Sequence, residues 1–223
     1  MLRALTYICL VFLLVLSSCK ESIQEKIDFG YEYAPIGLGK WTEFYVDSIF
    51  FDEFNPGVSD TQHFLIRETF ADTFSELNGN LSYIIERQEV DENGNAIGVA
   101  VRYSIVKTGQ RLEKLKNNSR TVELVFPFSI GTTWDGNAFN NLNKQEYECV
   151  SMLDQWSIDG QSFDSVATIV QYADTNNFIF KNYREEKFAK NVGLVYREYL
   201  VKEIQISGDS GVYVKEWVKN FGG

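Results

Sequence analysis

His63-Phe64-Leu65-Ile66-Arg67-Glu68-Thr69-Phe70-Ala71-Asp72-Thr73-Phe74, then Asn78-Gly79-Asn80, then Leu81-Ser82-Tyr83-Ile84-Ile85-Glu86-Arg87-Gln88-Glu89-Val90, is the stretch that decides the fold class. Two runs rich in aromatic and β-branched residues flank an Asn-Gly pair, and that pair tolerates the positive φ of a tight hairpin turn. The stretch reads as two antiparallel strands. Asp91-Glu92-Asn93-Gly94-Asn95 repeats the reversal and feeds residues 97–106, so the chain meanders.

Working outward, Trp41-Thr42-Glu43-Phe44-Tyr45-Val46-Asp47-Ser48-Ile49-Phe50-Phe51 alternates with a period of two. It places Phe44, Val46 and Phe50 on one face and Trp41, Glu43, Tyr45, Asp47 and Ile49 on the other. Residues 121–126 resume a strand that Pro127 ends, because proline lacks the N–H a central strand requires. Trp134-Asp135-Gly136 marks a tight turn. Residues 110–119, with Leu112 and Leu115 three apart among basic residues, read as a connection or as one or two helical turns. Residues 146–158, 163–172, 177–188, 192–206 and 212–218 read as strands broken at Asp159-Gly160, Asp174-Thr175-Asn176-Asn177 and Asn191-Val192-Gly193. The expected fold is mostly β: about ten strands in an antiparallel meandering sheet forming a barrel, half-barrel or strongly curved sheet, with few short helices.

Upstream of this domain the chain changes character. Arg3 precedes an apolar run from Leu5 to Leu16, and Ser17-Ser18 precede Cys19, the pattern of a secretory signal with a small-residue cleavage site. The run is shorter than the ~20 apolar residues a spanning helix needs, and Lys20, Glu21, Glu25 and Lys26 follow at once. Leu16-Ser17-Ser18-Cys19 resembles the bacterial lipobox, which implies diacylation of the Cys19 thiol, cleavage before it and acylation of the new amino group. The expected organisation is a lipoprotein signal peptide at 1–18, a lipidated Cys19 with a tether to residue 30, and a single β-rich domain at 31–223. The membrane is then the first partner, reached through lipid on Cys19.

Composition narrows the function classes. The net charge is −10 in 223 residues and becomes −11 when Arg3 leaves with the signal. This balance argues against nucleic acid, whose phosphates call for clustered Lys and Arg. With Cys9 in the signal and Cys19 lipidated, Cys149 stands alone, so it reads as a buried structural thiol in a strand and no intrachain disulfide forms. His63 is the only histidine, which removes sites needing two imidazoles; no metal and no cofactor are expected.

Asp91, Asn93 and Asn95 begin like a calcium loop, but its sixth and twelfth places hold Ala96 and Arg102 rather than glycine and glutamate. A hairpin turn explains the same residues. Glu185-Glu186, Asp52-Glu53 and Glu86 with Glu89 offer the two carboxylates of a glycosidase, against a default of solvated faces. No nucleophile elbow accompanies His63, so no catalytic residue is assigned and the chain reads as a non-enzyme. Phe, Tyr and Trp total 33 residues, with Trp41, Trp134, Trp156 and Trp217 spread along the chain. They suit either a wide strand core or surfaces that stack on sugars or line an acyl-chain cavity.

Three places carry a family resemblance. The lipobox is one. The run Tyr33-Ala34-Pro35-Ile36-Gly37-Leu38-Gly39-Lys40-Trp41 is similar to an opening motif of Tyr-x-Pro, Gly and Trp, and Lys187-Phe188-Ala189-Lys190-Asn191-Val192-Gly193-Leu194-Val195-Tyr196-Arg197-Glu198 is similar to a closing one. Together they resemble the Bacteroidota lipoproteins with a β-rich domain, a family with no established activity. The triplets Asp47-Ser48-Ile49 and Asp164-Ser165-Val166 resemble its O-glycosylation acceptors. The resemblance implies an outer-membrane lipoprotein of the cell envelope, on either its periplasmic or its surface face. The functional expectation is a non-enzymatic interaction module for an envelope protein or glycan. Two alternatives remain: a lipid carrier or lipoprotein-handling factor with a cavity empty of charge, and a carboxylate hydrolase.

Overall fold

A computed structural model describes residues 28–52, 54, 59–205 and 208–223. Twelve strands follow one 3-10 turn (Tyr31–Tyr33). The first six are β1 (Trp41–Phe51), β2 (Ser59–Ser75), β3 (Leu81–Val90), β4 (Ala96–Lys107), β5 (Arg111–Lys116) and β6 (Ser119–Val125). The second six are β7 (Thr133–Asp135), β8 (Glu146–Ile158), β9 (Gln161–Asp174), β10 (Phe180–Ala189), β11 (Gly193–Glu203) and β12 (Ser210–Gly222).

All twelve lie in one antiparallel sheet ordered β6-β5-β4-β3-β2-β1-β12-β11-β10-β9-β8-β7. Every neighbour is a hairpin partner except β1 and β12, which join the two ends of the domain along their full length, from Trp41 opposite Gly222 to Phe51 opposite Gly211. The two sheet edges, β6 and β7, then meet in mid-chain. The Val122 N–H donates to the Gly136 carbonyl at 2.8 Å, and the Trp134 indole N–H donates to the Val122 carbonyl at 2.9 Å. The result is a nearly closed barrel with one seam, the expected fold in its closed form.

Eight strands make a barrel that side chains just fill, and diameter grows with strand number. Twelve leave a lumen, and the chain fills one end of it with its own N-terminal segment. The 3-10 turn lies across that end, with Tyr33 and Ala34 buried against Leu112, Leu124, Phe126, Phe128 and Phe188. The Lys107 ammonium donates to the Tyr31 and Ala34 carbonyls, each at 2.7 Å, satisfying oxygens at the end of the turn. The Asn191 N–H donates to the Glu32 carbonyl at 2.7 Å, and Lys190 pairs with Asp28 at 2.8 Å. Pro35 approaches Gly193, whose φ of +94° suits glycine. The two motif runs singled out in the sequence thus meet at the plugged end.

A second cluster seals the barrel wall. The tip of the β8–β9 hairpin reaches past β10 and β11 to β12: the Gln161 side chain donates to the Lys219 carbonyl, and Trp217 Nε1 donates to Asp159 at 3.4 Å. Phe163, Val166, Ala189, Val195 and Val218 are buried there, with Trp156 against them.

Several outward-facing side chains at mid-strand are charged and paired. Arg67 with Glu43, Arg102 with Glu86 and Lys187 with Glu185 occupy places where a membrane-spanning barrel carries its apolar band. Among the described residues no helix is long and apolar enough to cross a membrane.

Three readings of the sequence change. Residues 110–119 hold β5 and the start of β6, not a connection or helical turns: Asn117 and Asn118 both adopt positive φ (51° and 59°), as a two-residue hairpin turn requires. Leu112 faces Leu124 across that hairpin. Trp134 and Asp135 belong to a strand rather than a turn, held by pairing with Tyr147 and Glu146. The reversal falls in residues 136–145, where the Asp135 carboxylate accepts from the Asn137 and Gln145 amides at 2.9 and 3.0 Å. The only helical element among the described residues is the 3-10 turn.

Gly136 sits where the seam closes, and a Cβ there would lie 2.4 Å from the Tyr147 ring. We expect Gly136→Ala to cost about 1–3 kcal/mol in urea unfolding and to speed hydrogen exchange at the Val122 amide. Gly37→Ala, which meets only the Lys40 side chain at 3.5 Å, should be close to neutral.

Candidate ligand site in the barrel lumen

The register of the strands brings charged residues to one level of the lumen. Glu68 stands opposite Arg87, Arg197 opposite Glu216, and Glu186 opposite Arg197. Arg87 donates to Glu68 at 2.5 Å and reaches across the lumen to Glu216 at 2.6 Å. Arg197 donates to Glu186 at 2.7 Å and to Glu216 at 3.0 Å, with Glu68 at 3.9 Å. Lys114 pairs with Glu123 at 2.8 Å.

This layer divides the lumen. On the plugged side lies a largely apolar, partly open cavity of about 90 Å³, walled by Tyr33, Phe44, Phe70, Ile85 and Phe188 and bounded by the charged layer. On the other side a polar cavity of about 370 Å³ opens toward the β5–β6 turn, with Lys116, Gln171, Arg184, Tyr199 and Val214 around it. Its walls and floor carry five cations, Arg87, Lys114, Lys116, Arg184 and Arg197, against three carboxylates, Glu68, Glu186 and Glu216.

Burial pushes the Glu68 carboxyl upward, but Arg87 and Arg197 outweigh it and hold Glu68 below the ordinary value of 4.5. Burial raises Glu123 too, and Lys114 more than offsets it. Glu186 goes the other way: burial dominates, Arg197 and Lys114 oppose it, and Glu123 adds repulsion, so its carboxyl lies above 4.5. Arg197 is shared among three carboxylates, which together overcome its own burial and keep it charged. At the rim, burial and then Arg87, Lys114 and Arg197 push the Lys116 ammonium below 10.5. Among the described residues neither Lys116 nor Arg184 has a carboxylate at ion-pair distance. Buried charge arrays of this kind are costly to assemble and are weak evidence of stability. They are better evidence of a site.

Apart from Glu186, the residues singled out in the sequence fall elsewhere. Cys19, Glu53 and residues 1–27 lie outside the described residues. Asp91 turns its carboxylate into its own hairpin, accepting from the Asn93 and Asn95 amides at 2.9 and 2.8 Å and from Asn95 Nδ2 at 2.9 Å, which explains the Asp-x-Asn-x-Asn run as turn chemistry. Asp52 accepts from the Phe54 amide. Glu185 and Glu186 point to opposite faces, Glu185 toward Lys187 outside and Glu186 into the lumen. Glu86 is outside with Arg102. His63 is exposed, with Nδ1 2.6 Å from Asp47. Ser48 is buried, and Ser165 sits at a positive φ of 54°.

Cys149 is fully buried, its thiol pushed up to about 11 by burial. The four tryptophans are half-buried. Trp217 stands in an outer row with Tyr45 and Tyr196 under Lys215, and Trp134 closes the seam.

Of the lumen carboxylates only Glu186 stands out in the sequence, as half of the Glu185-Glu186 pair. Their signal is cross-strand: opposite charges at paired positions of neighbouring hairpin strands, readable only once the register is known.

No protein-family model and no curated protein matches the chain. Among solved structures, a Bacteroides fragilis protein provisionally described as exported, with a YmcC-like fold, aligns over 85% of this chain and 98% of its own, at 11% identity and a TM-score of 0.46. A Parabacteroides distasonis protein provisionally described as a lipoprotein aligns over 89% and 100%, at 10% identity and a TM-score of 0.42. No role, ligand or location is transferred from either.

Two predictions follow from the charge layer and one from the thiol. Arg197→Met strands Glu186 and leaves Glu216 to Arg87 alone, and should cost about 3–5 kcal/mol in urea unfolding, whereas Glu186→Gln should cost far less. Because the folded Glu186 carboxyl lies above 4.5, it lowers stability as pH rises from 4.5 through its folded value, while the stability contributed by Glu68 and Glu123 is complete above 4.5 and lost below. Unfolding across pH should show Glu186→Gln abolishing the decline above 4.5 and retaining the acid-side loss. Alkylation mapped by peptide mass spectrometry should leave Cys149 unmodified at about pH 8 until urea unfolds the chain.

Proposed function

We propose that this chain is a lipid-anchored protein of the bacterial cell envelope, held at the outer membrane through Cys19, whose barrel is a non-enzymatic binding module with its ligand site in the open end of the lumen. The observation that carries this reading is the polar cavity of about 370 Å³, a volume within the range of small-molecule sites. Its opening lies at the opposite end of the barrel from Asp28, where the described chain begins beside Lys190. Eight residues lie between Cys19 and Asp28, and the segment joining them reaches at most about 30 Å, so a membrane-tethered domain can turn its mouth away from the bilayer.

The charged layer weighs against the acyl-chain carrier, because the apolar cavity measures only about 90 Å³ and Glu68, Lys114, Glu123, Glu186 and Arg197 line it beside the apolar side chains. A carboxylate hydrolase receives little support, since each lumen carboxylate is engaged by an arginine or a lysine. A glycan, rich in hydroxyls and compatible with a polar cavity, fits better than either.

Two measurements test the parts separately. Metabolic labelling with a palmitate analogue should mark the chain, and Cys19→Ala should abolish both the label and membrane retention; a labelled or membrane-retained Cys19→Ala protein contradicts the anchor. On a glycan array the protein should retain a subset of sugars, and Val214→Trp, which fills the polar cavity, should lose them. Equal retention by Val214→Trp places binding outside the lumen and defeats the proposal.

A further inference from the structure

We infer that the open end of the lumen is an anion site, taking a small sugar acid or sugar phosphate whose carboxylate or phosphate lies between Arg184, Lys116 and Gln171. This rests on the reading of the lumen as the ligand site and adds the charge class of the ligand.

The floor of the cavity is internally satisfied. Glu68, Glu186 and Glu216 are shared between Arg87 and Arg197, so the floor neither needs nor has room for a further ion. The rim is different. Arg184 lies over the Tyr199 ring at 4.9 Å, and among the described residues its guanidinium has no carboxylate partner, so it is available to a carboxylate or phosphate. Lys116 stands on the same rim as a second cation without a carboxylate partner among the described residues.

Gln171 adds a neutral donor and acceptor to the cavity wall. Its residue is only 9% exposed, it lines this cavity, and among the described residues its side-chain amide makes no hydrogen bond, although its backbone carbonyl accepts from Gln145 at 2.8 Å. That amide is open to the cavity and available to a bound oxygen. An anion would also offset the mutual repulsion of Lys116 with Arg87, Lys114 and Arg197.

Size and charge select a small molecule over a polymer. The chain carries −10 overall and repels extended polyanions at long range, so a cationic rim of two side chains favours a single anionic group that enters the cavity. A cavity of about 370 Å³ holds a molecule of one or two sugar rings, whose hydroxyls match Gln171 and Tyr199.

The test is calorimetric titration of the full lipidated chain in detergent with D-glucuronate, glucose 1-phosphate and D-glucose. One or both acids should bind saturably, with glucose at least about tenfold weaker, and the stronger of the two acids identifies the anionic group. Arg184→Gln and Lys116→Gln should each weaken acid binding by about fivefold or more without shifting the thermal midpoint of the unliganded protein. Rim variants that bind the acids as tightly as the parent overturn the inference. If glucose binds as well as the acids and Val214→Trp abolishes both, the lumen site stands and the anion inference falls; if none of the three binds, the anion inference falls, and the glycan array then decides the lumen reading alone.

Discussion

An antiparallel sheet has two edges whose unpaired N–H and C=O groups must be covered, and the solution adopted here organises everything else. The ends of the domain pair with each other as β1 and β12, so the two edges are pushed to the middle of the chain, where β6 meets β7. That meeting is short. It rests on the Val122 and Gly136 backbone bond, the Trp134 indole and the reach of Asn140 to the Arg120 carbonyl at 2.9 Å. Once the ring closes at twelve strands, a lumen wider than apolar side chains can fill is unavoidable.

The chain deals with that lumen in two ways along its axis. At one end the segment from Asp28 to Ile36 is folded inward as a plug, anchored by Lys107 and by the β10–β11 turn. Further along, the lumen is spanned by ionised side chains rather than by apolar ones. Arg87 and Arg197 act as struts between strands that are not neighbours, and each is compensated by carboxylates at hydrogen-bond distance. Such a layer stabilises little in net terms, since desolvation offsets most of the attraction. Its structural consequence is a rigid polar floor, above which a cavity remains open to solvent. The proposed ligand site lies at that end of the barrel, away from the plug.

Much of this architecture was legible in the sequence, and the exceptions have physical causes. The hairpins at Asn78-Gly79, Asn93-Gly94 and Asp159-Gly160 declare themselves because positive φ needs those residues, and the observed turns adopt it. The β5–β6 hairpin escaped because Leu112 and Leu115 mimic a helical spacing in a segment where Lys114 is an inward residue, buried with Glu123. The lumen was invisible for a related reason. Alternation tells inside from outside only when one face is apolar; in Arg184-Glu185-Glu186-Lys187 both faces are charged, and only the register shows that Arg184 and Glu186 look inward while Glu185 and Lys187 look out. Of the carboxylates legible as pairs, Glu185 and Glu86 belong to outer ion pairs, Asp52 accepts from a nearby backbone amide and Glu186 alone lies in the lumen, while the lipobox at Cys19 lies outside the described residues.

The claim at the centre of this account is that the polar end of the lumen is where a ligand sits. The most direct measurement is a backbone and side-chain NMR titration with D-glucuronate, followed residue by residue. The account predicts saturable shifts concentrated at Lys116, Gln171, Arg184 and Tyr199, with the outer row of Tyr45, Tyr196 and Trp217 unchanged. Shifts confined to that outer row, or none at any concentration, would contradict it.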